Sequence, residues 1–290
     1  MIAPWPKISV VTPVFNQVEY IEATIQSVVN QCYPNLEYII IDGGSTDGTL
    51  DIIKKYDNEI AVWRSEQDSG MYEALNKGFK ISTGTIMCWI NSDDLLLPNS
   101  LFNMCRLFND LPEVNWIQGL NSFIDLKGNI VNVSFAKKIS FIKFLNSDYR
   151  WIQQESTFWR RSLWEKAGGY VDQGLKYAGD FELWFRFAKY DKLCRSTLSI
   201  GGWRKRDNQL SQKFVDTYIL EISNVIAGYE QTGLEKLQLK KIKKINYFIN
   251  ILLKTKIIKA SYFINLREEM YDLDGTNIQY SYTLNKFTVS

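Results

Sequence analysis

Two adjacent carboxylates, Asp93 and Asp94, close the apolar run Met87-Cys88-Trp89-Ile90. A continuous apolar run of this kind reads as a strand buried on both faces, as parallel sheets require. Open α/β sheets collect their ligands at the carboxyl ends of such strands. Two anionic side chains side by side repel each other, and a hard divalent cation clamped to substrate phosphates would relieve that repulsion. The plainer alternative is a polar loop closing a strand, with Asp94 near a helix start and Pro98 in its first turn. A further acid, Asp42, ends the run Glu37-Tyr38-Ile39-Ile40-Ile41 and leads into Gly43-Gly44-Ser45-Thr46-Asp47-Gly48-Thr49. A carboxylate beside such a loop can accept hydrogen bonds from a base N–H or a ribose hydroxyl. Backbone amides of a capped turn can equally satisfy it.

The chain has 290 residues and no histidine. The commonest general base and commonest transition-metal ligand are therefore absent. Acid–base chemistry falls to Asp, Glu, Lys, Tyr or Cys. Oxygen ligands and four dispersed cysteines (Cys32, Cys88, Cys105, Cys194) favour Mg²⁺ or Mn²⁺ over zinc. The cysteine spacing suits reduced thiols in a cytosolic setting better than a disulfide framework. A net charge of +2 gives no global field that would attract nucleic acid, and no nucleic-acid partner is expected. Met1 to Lys7 lacks the apolar core of a secretory signal. No apolar run reaches the roughly 18 residues of a membrane span.

These acids need a scaffold, and the hydrophobic periodicity supplies one. Strands are expected at Lys7–Pro13, Leu36–Ile41, Ile60–Ser65 and Met87–Ile90. Helices are expected between them at Tyr20–Asn30, Leu50–Tyr56 and Met71–Lys80. Strands alternating with helices of about ten residues make βαβ units and a mostly parallel sheet. Right-handed crossovers bring the strand-end loops to one edge. That edge gathers Pro13, Asn16, Asp42, Asp68, Asp93 and Asp94. There is no dinucleotide-binding G-x-G-x-x-G after the first strand and no P-loop. Further on, Gln118–Leu126 and Ile130–Val133 read as a hairpin turned at Lys127-Gly128-Asn129. Helices are expected at Ile139–Asn146, Ser162–Ala167 and from Asp180 onward.

Six segments in order resemble the family 2 glycosyltransferases, inverting enzymes of the GT-A fold. They are Val11-Thr12-Pro13-Val14-Phe15-Asn16, Ile41–Thr49, Ser65–Tyr72, Asn76-Lys77-Gly78, Asn91-Ser92-Asp93-Asp94 and Ala178–Trp184. The likeness covers roughly residues 7 to 190 and is nearest to bacterial enzymes of surface-polysaccharide synthesis. It implies a Rossmann-like α/β fold in which Thr12, Pro13, Val14, Phe15, Asn16 and Asp42 hold the nucleotide. By the same likeness Asp68 and Asn76 line the donor pocket. Asp93 meets the ribose or sugar and is the second metal contact, while Asp94 coordinates the cation on the diphosphate. The donor would be a nucleoside diphosphate sugar, UDP being the expected nucleotide, and the acceptor a glycan or polyprenyl-linked hydroxyl. Two departures stand out. Many members carry Arg just before Asn-Lys-Gly, where this chain has Leu75, so Lys77, Arg204 or Arg206 must supply any cation to the donor. Some relatives use a late-loop His on the metal, and water would complete the octahedron here.

Inverting transfer needs one base to deprotonate the acceptor hydroxyl, and the family position matches Asp180, with Glu182 in reserve. At a helix N-terminus Asp180 is expected to stay ionised with a low pKa; its alternative role is an N-cap alone. Trp151 and Trp203 are candidate acceptor contacts among aromatics that otherwise serve the core. Gly201–Ser211 reads as a basic loop, either a lid with Arg204 or Arg206 on the diphosphate or a solvated connector. The organisation expected is a transferase domain over 1–213, its donor half about 1–100 and its acceptor half about 101–213, followed by a helical extension over 214–290. In that extension, lysines interleave with apolar residues from Leu239 to Lys259. This pattern suits either peripheral contact with an anionic leaflet, at the inner face of the cell membrane, or a solvated face over a docked stripe. Residues Thr276 to Ser290 are expected to be loose. Two competing readings are a nucleotidyltransferase acting on sugar phosphates, which would want a basic glycine-rich signature after the first strand, and a non-catalytic nucleotide-sugar-binding protein.

Overall fold

A computed structural model describes residues 5–148, 151–206, 209, 213–254 and 263–290. The first hundred residues build β1 (Ile8–Val14), α1 (Ile21–Val29), β2 (Leu36–Asp42), α2 (Thr49–Lys55), β3 (Val62–Ser65), α3 (Met71–Ile81) and β4 (Ile86–Trp89). All seven residues of β1 and all four of β4 are buried, because helices cover both faces of these strands. The helices turn regular stripes inward: Ile21, Ile25 and Val28 on α1, and Tyr72, Leu75 and Phe79 on α3.

The strands run β3-β2-β1-β4, each pair parallel. Register sets Val14 beside Asp42 and Asp42 beside Ser65, so these three strands end together on one edge. The crossover loops Phe15–Tyr20, Gly43–Gly48 and Glu66–Gly70, with Asn91–Asp94 after β4, open from that edge.

Beyond β4 the sheet becomes mixed. Its remaining elements are β5 (Leu95–Leu96), α4 (Ser100–Asp110), β6 (Trp116–Ile124), β7 (Ile130–Ser134), α5 (Phe141–Leu145), a 3₁₀ turn at Gln154–Ser156, β8 (Thr157–Arg160), α6 (Arg161–Lys166), α7 (Gly179–Tyr190) and β9 (Cys194–Arg204). β8 lies antiparallel between β4 and β6, and β9 runs parallel to β6. Between β4 and α7, Trp89 stacks on Trp184 at 5.6 Å, and Trp159 meets both rings edge-on. This aromatic wall joins the two halves of the core.

Two expectations are corrected. Gly201-Gly202-Trp203-Arg204 is not the start of a loop: it is the end of β9, held by Leu95 and Leu96 on one side and by β6 on the other. The rest of the expected lid, Asp207, Asn208 and 210–212, lies outside the described residues. Asp94 does not precede a helix directly, since β5 intervenes and Pro98 comes before α4.

The remainder forms α8 (Val215–Gly228), α9 (Gly233–Lys254), α10 (Ile264–Met270), β10 (Asn277–Ser281) and β11 (Lys286–Val289). The extension is therefore not helical throughout, nor is its end loose. β10 pairs parallel with β9 through Asn277 and Ile278, and β11 closes an antiparallel hairpin on it. Ile278 and Phe287 are buried in the common core. No helix among the described residues is long and apolar enough to cross a membrane.

Candidate active site

Asp42 is fully buried at the end of β2. Its carboxylate accepts from the Ser45 amide at 3.0 Å, the Ser45 hydroxyl and the Ser65 hydroxyl at 2.6 Å. The glycine-rich loop thus folds back over this acid. Asn16 sits in the left-handed region at φ 51° and accepts from the Thr46 amide at 2.9 Å, pinning the β1 loop to the β2 loop. Thr12 shares a buried hydrogen bond with the Tyr38 hydroxyl at 3.1 Å. Thr12, Pro13 and Val14 belong to the buried strand, and only Phe15 and Asn16 of that group are exposed. Burial raises the Asp68 carboxyl, opposed by the Gly70 amide and Lys77 and reinforced by the charges of Glu73 and Asp42. Asn76 is engaged elsewhere: its amide exchanges two 2.8 Å hydrogen bonds with the backbone of Val171, tying α3 to the segment before α7.

Asp94 is 1% exposed. Its Oδ1 accepts from the Arg204 amide at 2.8 Å and its Oδ2 from the Asn91 amide group at 3.3 Å. Burial pushes its carboxyl well above the ordinary range, and the charges of Asp93 and Glu155 push it further. Asp93 Oδ2 pairs with Arg206 at 2.8 and 2.9 Å. Arg204 is buried, and its guanidinium donates to the carbonyls of Asp93 at 2.5 Å, Asp125 at 3.1 Å and Leu126 at 2.7 Å. Both arginines also lie over the Tyr20 ring, at 5.3 and 5.2 Å. Of the cations that could replace the missing arginine at Leu75, Lys77 bridges Glu66 and Glu73 at 3.0 and 2.9 Å. Arg206 is the one of the three whose side chain meets a carboxylate of the Asp93-Asp94 pair, while that of Arg204 meets the Asp93 carbonyl.

Asp180 occupies the first turn of α7 and is half-buried. Its carboxyl is raised to about 7, first by burial, then by the charge of Glu221, against the Phe181 amide and its own. This corrects the expectation of a low value, because burial outweighs the helix terminus. Glu182 is gripped in two places by Arg186, at 2.7 and 2.8 Å.

Glu155 is the residue that sequence reasoning passed over. It sits in the 3₁₀ turn, 3% exposed, and its Oε1 has no hydrogen-bond partner among the described residues. Burial raises its carboxyl to about 8, and the charges of both Asp93 and Asp180 add to that. Glu155 therefore lies within electrostatic reach of the Asp93-Asp94 pair and of Asp180. A glutamate inside a buried segment has no signature in spacing; the one available signal was an acid in the polar stretch Gln153–Thr157, set between Trp151 and Phe158-Trp159.

Trp151 is exposed and stacks on Tyr218 at 4.3 Å, and Trp203 meets Phe123 edge-on at 5.7 Å. Among the described residues no three acidic or cysteine side chains form a cluster that could hold a metal by themselves. The donor set is oxygen-only: Asp93 and Asp94, with Glu155 near them, and burial holds Asp94 and Glu155 towards the protonated form; such a set fits a hard cation completed by phosphate oxygens and water. The four cysteines are free thiols, three of them buried.

Comparison with known proteins agrees with this architecture. An uncharacterised glycosyltransferase of Rickettsia typhi is 30% identical over 193 residues, 63% of this chain and 59% of its own length. TuaG of Bacillus subtilis, described as a putative teichuronic acid biosynthesis glycosyltransferase, is 42% identical over 92 residues, 31% of this chain and 36% of TuaG. The matches thus span about three fifths of the first relative and about a third of the second. S. aureus TarS residues 1–349, solved with UDP-GlcNAc, superposes with a TM-score of 0.62 at 19% identity over 80% of this chain and 70% of that one. The mannosyltransferase PcManGT of Pyrobaculum calidifontis, solved with GDP-Man and Mn²⁺, gives 0.61 at 17% over 80% and 67%. Likeness at these identities speaks for a shared GT-A fold. The profile described as glycosyl transferase family 2 matches residues 9–180, more than half of the chain, and the chain belongs to that family.

Proposed function

We propose that the protein is an inverting glycosyltransferase that moves a hexose-type sugar from a nucleoside diphosphate sugar to a hydroxyl of a glycan or lipid-linked acceptor in polysaccharide synthesis. In this reading Asp42 and the Phe15-Asn16 loop take the nucleotide, and Asp68 lines the donor pocket. Asp93 and Asp94 would hold a divalent cation, Mn²⁺ or Mg²⁺, which supplies positive charge to the leaving diphosphate. Asp180 accepts the proton of the acceptor hydroxyl as that oxygen bonds to the anomeric carbon and the bond to the diphosphate oxygen breaks. With its carboxyl near 7, Asp180 is a stronger base than an ordinary carboxylate yet still ionises near neutrality. UDP is the nucleotide of this reading, as in TarS solved with UDP-GlcNAc, with GDP, as in PcManGT solved with GDP-Man, the alternative.

The observation that supports the reading is the convergence on Glu155: the charges of Asp93 and of Asp180 both act on one buried carboxyl, which puts the candidate metal side and the candidate base within electrostatic reach of the same group. The domain division at about residue 213 and the peripheral membrane contact belong to the same proposal. On α9, Lys240, Lys241, Lys243 and Lys244 are exposed, as are Leu237, Tyr247 and Phe248, a surface suited to the cytoplasmic leaflet. Residues 255–262 of that stretch lie outside the described residues.

A thermal-shift screen of nucleoside diphosphate sugars, with and without Mn²⁺, tests the donor assignment. One nucleotide sugar should raise the melting temperature only with metal, by the equivalent of about 2.7 kcal/mol at a hundred times its Kd. Asp94→Ala should abolish that metal-dependent shift. No shift with any nucleotide sugar, metal present or not, would overturn the proposal.

A further inference from the structure

The helix that carries Asp180 begins without a cap of its own. Ala178 stands at its N-cap and offers no side-chain acceptor. Amides at a helix start need acceptors, and a serine or aspartate at that position ordinarily provides one. Here a distant element supplies the acceptor for the amides that lead into the helix, while the Phe181 amide of the first turn donates to Asp180 Oδ1 at 2.7 Å. Glu221, on α8, accepts through Oε1 from the Lys176 amide at 2.9 Å. Through Oε2 it accepts from the Tyr177 amide at 2.9 Å and the Ala178 amide at 2.8 Å. The next amide, Gly179, donates to the Tyr72 hydroxyl at 2.9 Å. Four successive backbone N–H groups are thus held by two side chains, one from α3 and one from α8. Gly179 is required at this junction, because a Cβ there would lie 2.7 Å from the Tyr72 ring.

Aromatic contacts dock α8 in the same place. Tyr177 stacks on Phe214 at 4.7 Å, and Tyr229 at the end of α8 meets Phe185 of α7 edge-on at 5.7 Å. Hydrogen bonds from amides to a carboxylate are the strong, charge-assisted kind. They fix the three residues before Gly179, and so the entry to the first turn of α7 on which Asp180 projects. They also bring a negative charge to the helix end, where it partly cancels the positive end of the helix dipole.

We propose that Glu221 is a positioning residue for the candidate base Asp180, so that the helical extension completes the active site. The proposal rests on the transferase reading above. It places a determinant of turnover outside residues 9–180, the span matched by the family profile. The charged and titratable groups around Asp180 are Tyr72 from α3, Glu155 from the 3₁₀ turn and Glu221 from α8, with Glu182 and its partner Arg186 on its own helix. Of the three from other elements, Tyr72 holds one backbone amide and Glu221 holds three.

The test uses the full chain carrying Glu221→Gln, which keeps the shape and one acceptor oxygen, with Glu221→Ala as the larger change. Hydrogen exchange should accelerate about tenfold at amides 176–178 in Glu221→Gln while the sheet stays protected. Turnover should fall about tenfold at an unchanged donor Kd, and the rising limb of the kcat–pH profile should move to lower pH, because a like charge has been removed. Unchanged exchange at 176–178 overturns the proposal whatever the protein transfers, and so does faster exchange with unchanged kcat and pH profile. A wild-type chain that binds donor yet transfers to no acceptor would count against Asp180 as a base; the exchange measurement would then decide on its own whether Glu221 fixes this segment.

Discussion

Asp180 and Glu182 are two residues apart and carry the same functional group, yet their surroundings separate them. Glu182 is held in a two-pronged ion pair with Arg186, whose guanidinium also donates to the carbonyls of Ala167 and Tyr170. Asp180 has no ion-pair partner among the described residues, and burial lifts its carboxyl to about 7. Asp180→Asn should therefore keep the metal-dependent donor shift while turnover drops by about 10²–10⁴. Glu182→Gln should lower stability by about 1–3 kcal/mol and leave kcat within a few-fold. Stopped or single-turnover assays beside denaturant titrations separate these effects, and normal turnover in Asp180→Asn would remove it as the base. The position of Asp180 was legible because its motif is local in sequence. Its proton affinity was not, because burial and the charge of Glu221 are supplied by residues far along the chain. Glu155 was illegible for a related reason: buried acids are recognised by what surrounds them.

At the scale of elements, the glycine pair Gly201-Gly202 shows how a local rule misleads. Glycine most often breaks a strand, so the pair reads as the opening of a loop. In the fold it lets β9 continue. A Cβ on Gly201 would lie 2.1 Å from the Glu155 carbonyl oxygen, so the strand and the 3₁₀ turn touch backbone to backbone. That contact seats Glu155 beside the acids and lets β9 deliver the Arg204 amide to Asp94. Gly201→Ala must push the turn away and should cost about 1–3 kcal/mol, towards the upper end because backbone cannot rotate aside as a side chain does. It should also weaken the metal-dependent donor shift, since the same strand supports the Asp93-Asp94 loop. A variant with wild-type denaturation midpoint and donor shift would show that the strand and turn are not coupled in this way. The βαβ units of the first hundred residues were legible because each strand is a compact apolar run and each helix between them carries its own apolar stripe, even though β4 returns to pair with the distant β1.

For the whole molecule, the strands that escaped were those whose partners lie far away. Ile278 and Tyr280, then Phe287 and Val289, alternate with polar neighbours as strands do, but two such short strands have little stability alone. Pairing with β9 provides the missing support and carries the chain end into a sheet that begins at β3. The acids gathered at this sheet's edge govern how the apo protein responds to pH. Asp94 is raised well above the ordinary carboxyl value of about 4, Asp180 to about 7 and Glu155 to about 8. The folded chain therefore holds protons on these groups that the unfolded chain has released. Their contribution to stability is complete below the unfolded value and is lost as pH rises through the folded ones. The melting temperature of the apo protein should fall from about pH 5 to about pH 8 and then level off. Glu155→Gln, which keeps the shape and cannot ionise, should flatten the upper part of that decline. Adding Mn²⁺ with a bound nucleoside diphosphate should recover stability most at the alkaline end, where the carboxylates are charged and most in need of a counter-ion. Melting curves across this range decide the matter: a melting temperature that climbs between pH 5 and 8 would mean that these acids do not share a buried cleft.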